Sequence, residues 1–123
     1  MFIDTHAHLF WESYKDDLEE VLARAKIAGV EKMIVPGTNV ESSKKAIQLA
    51  KKYPGVIYPA VGIHPEEILS THKVRPSLVS SGWALPSRSD LLGAIAVGEI
   101  GIDLYTEKMR AKLGEQKELF REQ

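Results

Sequence analysis

Two histidines near the start of the chain, His6 and His8, have the side chains best suited to metal chemistry. They follow the apolar residues 1–3, which predict a first strand. Because side chains two residues apart on a strand point to the same face, both imidazoles can converge on one point. Imidazole is a common ligand for divalent metals. The spacing therefore predicts a metal site at a strand end, with a pair of partly exposed histidines as the alternative.

The composition of the chain restricts the classes of protein to which it can belong. Its 123 residues are 44% hydrophobic and 27% charged, with a formal net charge of −1. These values predict one soluble globular domain without a broad basic surface for nucleic acid. The absence of cysteine leaves only nitrogen and oxygen ligands for a metal. The sequence has neither an apolar run of about 18 residues nor a signal-peptide pattern, so we expect a cytoplasmic protein with no membrane segment.

Four short apolar runs alternate with amphipathic stretches along the chain. They predict the strands and helices that position the two histidines. The predicted strands are residues 2–3, 32–35, 56–61 and 94–97. The predicted helices are residues 16–28, 42–52 and 106–123, the last interrupted at Gly114. This alternation predicts right-handed β-α-β units and a parallel sheet whose strands are buried on both faces. Pro59 weakens the third strand, and the Pro- and Ser-rich residues 70–90 are expected to form a loop.

Side chains with metal or phosphate chemistry follow all four predicted strands. In the order of the strands they are His6 and His8, Thr38, His64, and Glu99. In parallel α/β folds, ligands bind at the carboxyl ends of the strands, where successive loops face one space. A carboxylate at the end of a buried strand needs a cation nearby, so Glu99 favours a metal. An exposed glutamate at the start of a loop is the alternative.

Three short motifs give the chain a resemblance to a known family. They are DTHAHL at residues 4–9, VGIHP at residues 61–65 and GEIGID at residues 98–103. Together they resemble the signatures of the TatD-type metal-dependent deoxyribonucleases, which belong with the amidohydrolase-like (β/α)8 barrels. The resemblance implies an α/β fold in which residues 1–123 form a single partial domain. This domain would be the N-terminal half of a TIM-type barrel, with four parallel strands and their helices, because a whole barrel has eight strands and about 250 residues.

The resemblance also implies a centre of two divalent metal ions that acts on DNA, at single strands or 3′ ends. His6 and His8 correspond to ligands of one ion, and Glu99 to a catalytic carboxylate that bridges both ions. His64 corresponds to a catalytic group that binds the substrate phosphate. Two ions can stabilise the attacking and leaving oxygens of a phosphodiester. Nitrogen and oxygen ligands suit magnesium, manganese or zinc.

The rest of the family pattern is met incompletely. Asp4 and Asp103 are implied to support the ligands or to pack beside them. Phe10 and Trp11 stand where family members often carry a small or acidic residue after the leucine, and Trp11 either stacks on a base or packs as an ordinary aromatic. Family members supply two further histidines and an aspartate from later strands, and no residue here takes those roles. His72, in the predicted loop, is expected to be solvated.

Three functional hypotheses follow. The leading one is a hydrolase of phosphoester bonds, a deoxyribonuclease when full length, of which these 123 residues alone are inactive. The second is an amidohydrolase-type enzyme that cleaves C–N bonds, because the His-x-His strand serves both chemistries; Glu99 in place of a carboxylated lysine argues against it. The third is a remnant without function. A half-barrel exposes strand edges, so we expect the isolated chain to be unstable or to associate with a second copy.

Overall fold

A four-stranded parallel sheet organises the protein. The computed structural model describes residues 1–70 and 93–123. The strands are β1 (Phe2–Asp4), β2 (Val30–Pro36), β3 (Ile57–Val61) and β4 (Ala96–Val97). They lie in the order β1-β2-β3-β4, and each neighbouring pair is parallel. Consecutive strands are therefore neighbours, as the predicted N-terminal half of a (β/α)8 barrel requires, and that fold class is confirmed.

Helices connect and cover these strands. They are α1 (Leu18–Ile27), α2 (Val40–Lys52), α3 (Glu67–Ser70), α4 (Glu107–Ala111) and α5 (Leu113–Glu122), with a 3-10 turn at Glu12–Tyr14. None of the helices in the described part of the chain combines the length and apolar character needed to cross a membrane. The loop predicted for residues 70–90 lies outside the described residues apart from Ser70, and His72 lies outside them as well.

The last predicted helix breaks at a different residue from the one expected. Thr106 caps α4 by accepting a hydrogen bond from the Met109 N–H, and α4 ends where the Lys112 N–H bonds to the Met109 carbonyl. Gly114, the predicted interruption, instead lies inside α5. A glycine in a helix costs only about 1 kcal/mol relative to alanine, which tertiary contacts can offset. The interruption at Gly114 was therefore wrong by two residues.

The core lies between α2 and the two central strands. The residues of this cluster are Leu9, Met33, Val35, Ala46 and Ile57. Pro59 lies inside β3, so the doubt about this strand was unfounded. The Pro59 carbonyl accepts from the Ile95 N–H, on the β4 side of the strand, and pairing of β3 with β4 begins one residue later at Ala60. Proline has no N–H to donate, but on this side β4 is only beginning, so few hydrogen bonds between the strands are lost.

The two outer strands are exposed, which contradicts the expectation of strands buried on both faces. All residues of β1 and β4 are exposed, with Phe2 at 66% and Val97 at 54%. In residues 1–70 and 93–123, β1 pairs with β2 alone and β4 with β3 alone. Among the described strands, β3 and the end of β2 have the burial expected of a parallel core strand, because α2 packs against both strands and β3 has a neighbour on each side.

A capping box starts α2 two residues earlier than predicted. The Asn39 side chain accepts from the Ser42 N–H, and the Ser42 hydroxyl accepts from the Asn39 N–H, both at 2.9 Å. The Asn39 amide also donates to Glu67 at 2.9 Å, which ties the start of α2 to α3. The Thr38 hydroxyl lies 3.3 Å from the Ser42 hydroxyl. Thr38, predicted as a strand-end group with phosphate chemistry, therefore belongs to this helix start.

Candidate metal centre

Three of the predicted site residues converge on one point. The His6 Nε2 lies 2.7 Å from Glu99 Oε1 and 3.2 Å from the His8 Nε2, and the His8 Nε2 lies 3.7 Å from Glu99 Oε2. One ligand atom from each residue falls within 4.8 Å of the other two. The His8 and Glu99 side chains are only 15% and 20% exposed, whereas that of His6 is 55% exposed. Glu99 is thus a partly buried carboxylate beside two imidazoles.

The spacing of these atoms is close to that expected for ligands of a single ion. Two ligand atoms about 2.0–2.1 Å from a metal, at tetrahedral or octahedral angles, lie about 2.9–3.4 Å from each other. The separation of 3.2 Å between the two histidine nitrogens lies in that range, and the distances of 2.7 and 3.7 Å from them to Glu99 lie just outside it. Two imidazole nitrogens and a carboxylate form a donor set that zinc and manganese accept. The residues therefore fit a divalent ion.

The Pro36 carbonyl at the end of β2 sets the orientation of His8. It lies 3.1 Å from the His8 Nδ1, and because a carbonyl only accepts hydrogen bonds, this nitrogen carries the proton. The neutral ring then presents the lone pair of Nε2 toward His6 and Glu99. Trp11 stacks on the same ring with 4.8 Å between centroids and 9° between planes, and Phe10 meets it edge-on at 5.5 Å. One face of Trp11 is therefore occupied by His8.

His6 is held through its backbone. The Asp4 Oδ1 accepts a hydrogen bond from the His6 N–H at 2.9 Å. Asp4 therefore contacts the backbone of His6, in the turn that follows β1. The next link to the sheet is the Ala7 N–H, which donates to the Ile34 carbonyl of β2 at 3.0 Å. The segment that carries both histidines thus continues along β2 beyond the end of β1.

The backbone around Glu99 is fixed by two glycines at the ends of neighbouring strands. The Glu99 N–H donates to the Gly37 carbonyl at 2.9 Å, and the Gly98 N–H donates to the Val61 carbonyl at 2.8 Å. A Cβ added at Gly62 would lie 2.7 Å from the Glu99 carbonyl oxygen and 2.7 Å from the Gly98 carbonyl carbon. Only a glycine at position 62 permits this approach, and the approach brings Glu99 to the histidines.

His64 and Asp103 line the same cleft as His6 and Glu99, a space of about 590 Å³ at the carboxyl ends of the strands. His64 does not belong to the group of three ligand atoms. Its Nδ1 accepts from the Glu66 N–H at 3.2 Å, so in the neutral ring Nε2 carries the proton and can donate to an anion. Asp103 is half-buried, and its Oδ1 accepts from the Tyr105 N–H at 2.7 Å.

These contacts predict opposite tautomers for two histidines of one molecule. His8 should carry its proton on Nδ1, facing the Pro36 carbonyl, and His64 on Nε2, because the Glu66 N–H occupies its Nδ1. Long-range ¹H–¹⁵N NMR under mildly alkaline conditions, where imidazole is neutral, separates the two forms. His64 serves as the internal reference for His8. Finding the same tautomer in both rings would contradict the hydrogen bonds described here.

Comparison with known proteins gives the family of the chain. The family described as TatD related DNase matches residues 3–123. The chain belongs to this family. Similar proteins are named as metal-dependent hydrolases and deoxyribonucleases. The family predicted from the three motifs is therefore confirmed.

Several relatives share this part of the TatD family fold. The metal-dependent hydrolase YabD of Bacillus subtilis is 35% identical over 123 residues, which are 100% of this chain and 45% of YabD. The human deoxyribonuclease TATDN3 is 33% identical over 94% of this chain and 42% of its own length. The crystal structure of the Escherichia coli TatD homologue YjjV superposes with a TM-score of 0.76 and 33% identity, over 98% of this chain and 44% of YjjV. The chain thus spans less than half the length of these relatives.

Proposed function

We propose that His6, His8 and Glu99 hold a divalent metal ion and that the protein hydrolyses phosphodiester bonds of DNA. The observation that carries this proposal is the convergence of the three ligand atoms within 4.8 Å at the carboxyl ends of parallel strands. Magnesium, manganese and zinc are the candidate ions. Glu99 has one oxygen toward each histidine, so the carboxylate would bind the same ion as His6 and His8, and a bridging role toward a second ion rests on the resemblance to the family.

Each residue has a defined part in this proposal. When bound, a divalent ion supplies electrostatic stabilisation for the oxygens that gain charge as a phosphodiester is cleaved. The Glu99 carboxylate balances the charge of the ion, and the Pro36 carbonyl keeps the His8 lone pair on Nε2. His64 acts as a catalytic and substrate-binding residue by donating its Nε2 proton to a phosphate oxygen in the cleft. Asp4 and Asp103 shape the turns that carry these groups.

DNA is the substrate class that the relatives favour. Human TATDN3 is named a deoxyribonuclease, and the TatD protein of Salmonella typhimurium, 30% identical over 106 residues, is named a 3′-5′ ssDNA/RNA exonuclease. The net charge of −1 means that a broad basic surface does not supply the affinity for the phosphate backbone. The metal and His64 are the groups of this chain that we assign to the scissile phosphate.

We further propose that these 123 residues alone do not suffice for cleavage. In the described residues, the group supplies only three ligand atoms, and β1 and β4 each leave one edge of the sheet open. The resemblance to TatD-type enzymes assigns further ligands to later strands of the barrel. The isolated chain should therefore bind a metal with incomplete coordination and leave DNA intact.

A chimera tests the proposed function. In it, this chain replaces the matching segment of human TATDN3, which is 42% of that protein. The chimera should cleave a 3′-labelled single-stranded oligonucleotide in the presence of Mg²⁺ or Mn²⁺, stop in EDTA, and lose the activity with Glu99→Gln. The chain alone should not cleave. A folded, metal-binding chimera that hydrolyses a C–N substrate but not DNA would replace this proposal with the amidohydrolase alternative.

Self-association remains a prediction that rests on the exposed edge strands. Phe2 and Ile3 of β1 are 66% and 51% exposed, and Ile95, directly before β4, and Val97 of β4 are each 54% exposed. Unpaired strand edges with apolar side chains favour pairing with another chain. Light scattering of the purified chain should give a mass above 13.7 kDa. The double variant Ile3→Lys/Val97→Lys should shift it toward the monomer, and a monomeric parent chain would refute the prediction.

A further inference from the structure

Two glutamines, Gln116 inside α5 and Gln123 directly after it, bind the backbones of two different loops. The Gln116 Oε1 accepts from the Asp103 N–H at 2.7 Å, and its Nε2 donates to the Asp103 carbonyl at 3.0 Å. The Gln123 Oε1 accepts from the Ile63 N–H at 2.6 Å, and its Nε2 donates to the Ile63 carbonyl at 3.1 Å. In both cases a side-chain amide pairs with the N–H and C=O of one residue, as a neighbouring strand would.

Gln116 lies inside α5, and Gln123 directly follows the last residue of that helix. They are seven residues apart in the sequence. Gln116 is fully buried, and its Nε2 also donates to the Met109 carbonyl at 2.7 Å. A fully buried amide with all of its contacts made to backbone groups is expensive to replace, because each lost contact leaves a polar group without a partner.

The two loops carry the groups of the site. Ile63 is 1% exposed and directly precedes His64, whereas Asp103 lies in the loop that leaves β4 and contains Glu99. Sequence reasoning gave no role to either glutamine. We propose that Gln116 and Gln123 are positioning residues that hold the Glu99 loop and the His64 loop at a set separation through α5. This inference rests on the proposed function, since it assumes that Glu99 binds a metal and that His64 faces the substrate.

The proposal assigns different consequences to the two side chains. Loss of the Gln116 amide frees the Asp103 backbone and allows the loop with Glu99 to shift, so metal binding suffers. Loss of the Gln123 amide frees Ile63 and the adjacent His64, which is not among the three ligand residues, so metal binding stays the same. The Glu66 N–H donates to the His64 Nδ1, so its rate of hydrogen exchange shows whether His64 keeps its position. A role limited to fold stability would not separate the two variants in this way.

The test compares Gln116→Met and Gln123→Met with the parent chain, because methionine keeps the length of the side chain and removes both polar groups. Amide hydrogen exchange should become about 10-fold faster at Asp103 in the first variant and at Ile63 and Glu66 in the second. Binding of Co²⁺, followed by its visible absorption, should weaken about 10-fold in Gln116→Met only. Leu119→Ala, a buried residue of the same helix, is the control for lost stability and should keep the parent affinity for Co²⁺.

The possible results separate this inference from the proposed function. If Glu99→Gln weakens Co²⁺ binding but Gln116→Met does not, the positioning role of Gln116 is overturned while the ligand set stands. If Gln123→Met leaves exchange at Ile63 and Glu66 unchanged, the role of Gln123 is overturned. If Leu119→Ala weakens Co²⁺ binding as much as Gln116→Met, the effect is one of stability and the inference fails. If Glu99→Gln also binds Co²⁺ normally, the proposed metal site itself is wrong.

Discussion

Replacing Glu99 with glutamine is expected to weaken binding of Co²⁺ or Mn²⁺ to the chain by at least about 100-fold. Loss of a group that only supports a ligand typically costs 10- to 100-fold in metal affinity, and Glu99 is proposed to touch the ion directly. Glutamine keeps the shape of the side chain but removes the negative charge that the two imidazoles cannot supply. Isothermal titration of parent and variant measures the loss.

The matched control for this substitution is Glu118→Gln on α5. Glu118 is exposed, so the same change of charge there should alter the affinity for Co²⁺ by less than about 2-fold. Circular dichroism of the metal-free variants should show that both keep their helices. Equal Co²⁺ affinity of parent and Glu99→Gln would remove Glu99 from the ligand set, and with it the proposed metal site.

A methyl group at Gly62 is expected to damage both the stability of the fold and the metal centre. The new Cβ would come within 2.7 Å of the Glu99 carbonyl oxygen and 2.9 Å of the Glu99 nitrogen, so the loop after β4 must move away. Overpacking of this kind costs about 1–3 kcal/mol of unfolding free energy. Urea denaturation of Gly62→Ala should give a loss in this range, and Co²⁺ titration should show weakened binding of the metal.

Gly114→Ala provides the comparison within the same chain. A Cβ at Gly114 meets nothing within 4 Å, and the residue lies inside α5, where alanine is the better helix former. This substitution should leave Co²⁺ affinity unchanged and stabilise the protein by up to about 1 kcal/mol. If Gly62→Ala proved as stable as the parent, β3 and the Glu99 loop would not approach as closely as described.

The sequence predicted the site residues better than the contacts that hold them. His6, His8 and Glu99 could be found because each follows an apolar run, and the ends of parallel strands converge on one side of a sheet. His64 could be placed in the same cleft for the same reason. The separation of His8 and Glu99 by 91 positions is no obstacle once the strand order is assumed, and the observed order β1-β2-β3-β4 matches that assumption.

The supporting contacts could not be predicted because they involve backbone groups and residues without chemical signature. The carbonyl of Pro36 orients His8, yet every residue has a carbonyl. Gln116 and Gln123 bind the backbones of Asp103 and Ile63, and a glutamine in an amphipathic helix is usually solvated. Only the three-dimensional structure shows which of these groups lie within hydrogen-bond distance.

Burial was mispredicted at the two outer strands for a related reason. Apolar composition indicates that a strand tends to be covered, but it does not indicate what covers it. In the described residues, Phe2 of β1 and Val97 of β4 remain more than half exposed, because each of these strands has one neighbour only. The apolar residues at Phe2 and Val97 therefore predicted the two strands correctly but predicted their burial incorrectly.

The most direct test of the metal centre is a Zn²⁺ titration of the chain followed by ¹⁵N NMR of its histidine rings. The Nε2 resonances of His6 and His8 should move together and saturate at the same Zn²⁺ concentration. The ring nitrogens of His64 should keep their positions, because His64 is outside the group of ligand atoms. Resonances of His6 and His8 that stay in place, or that move only as much as those of His64, would contradict the proposed ligand set.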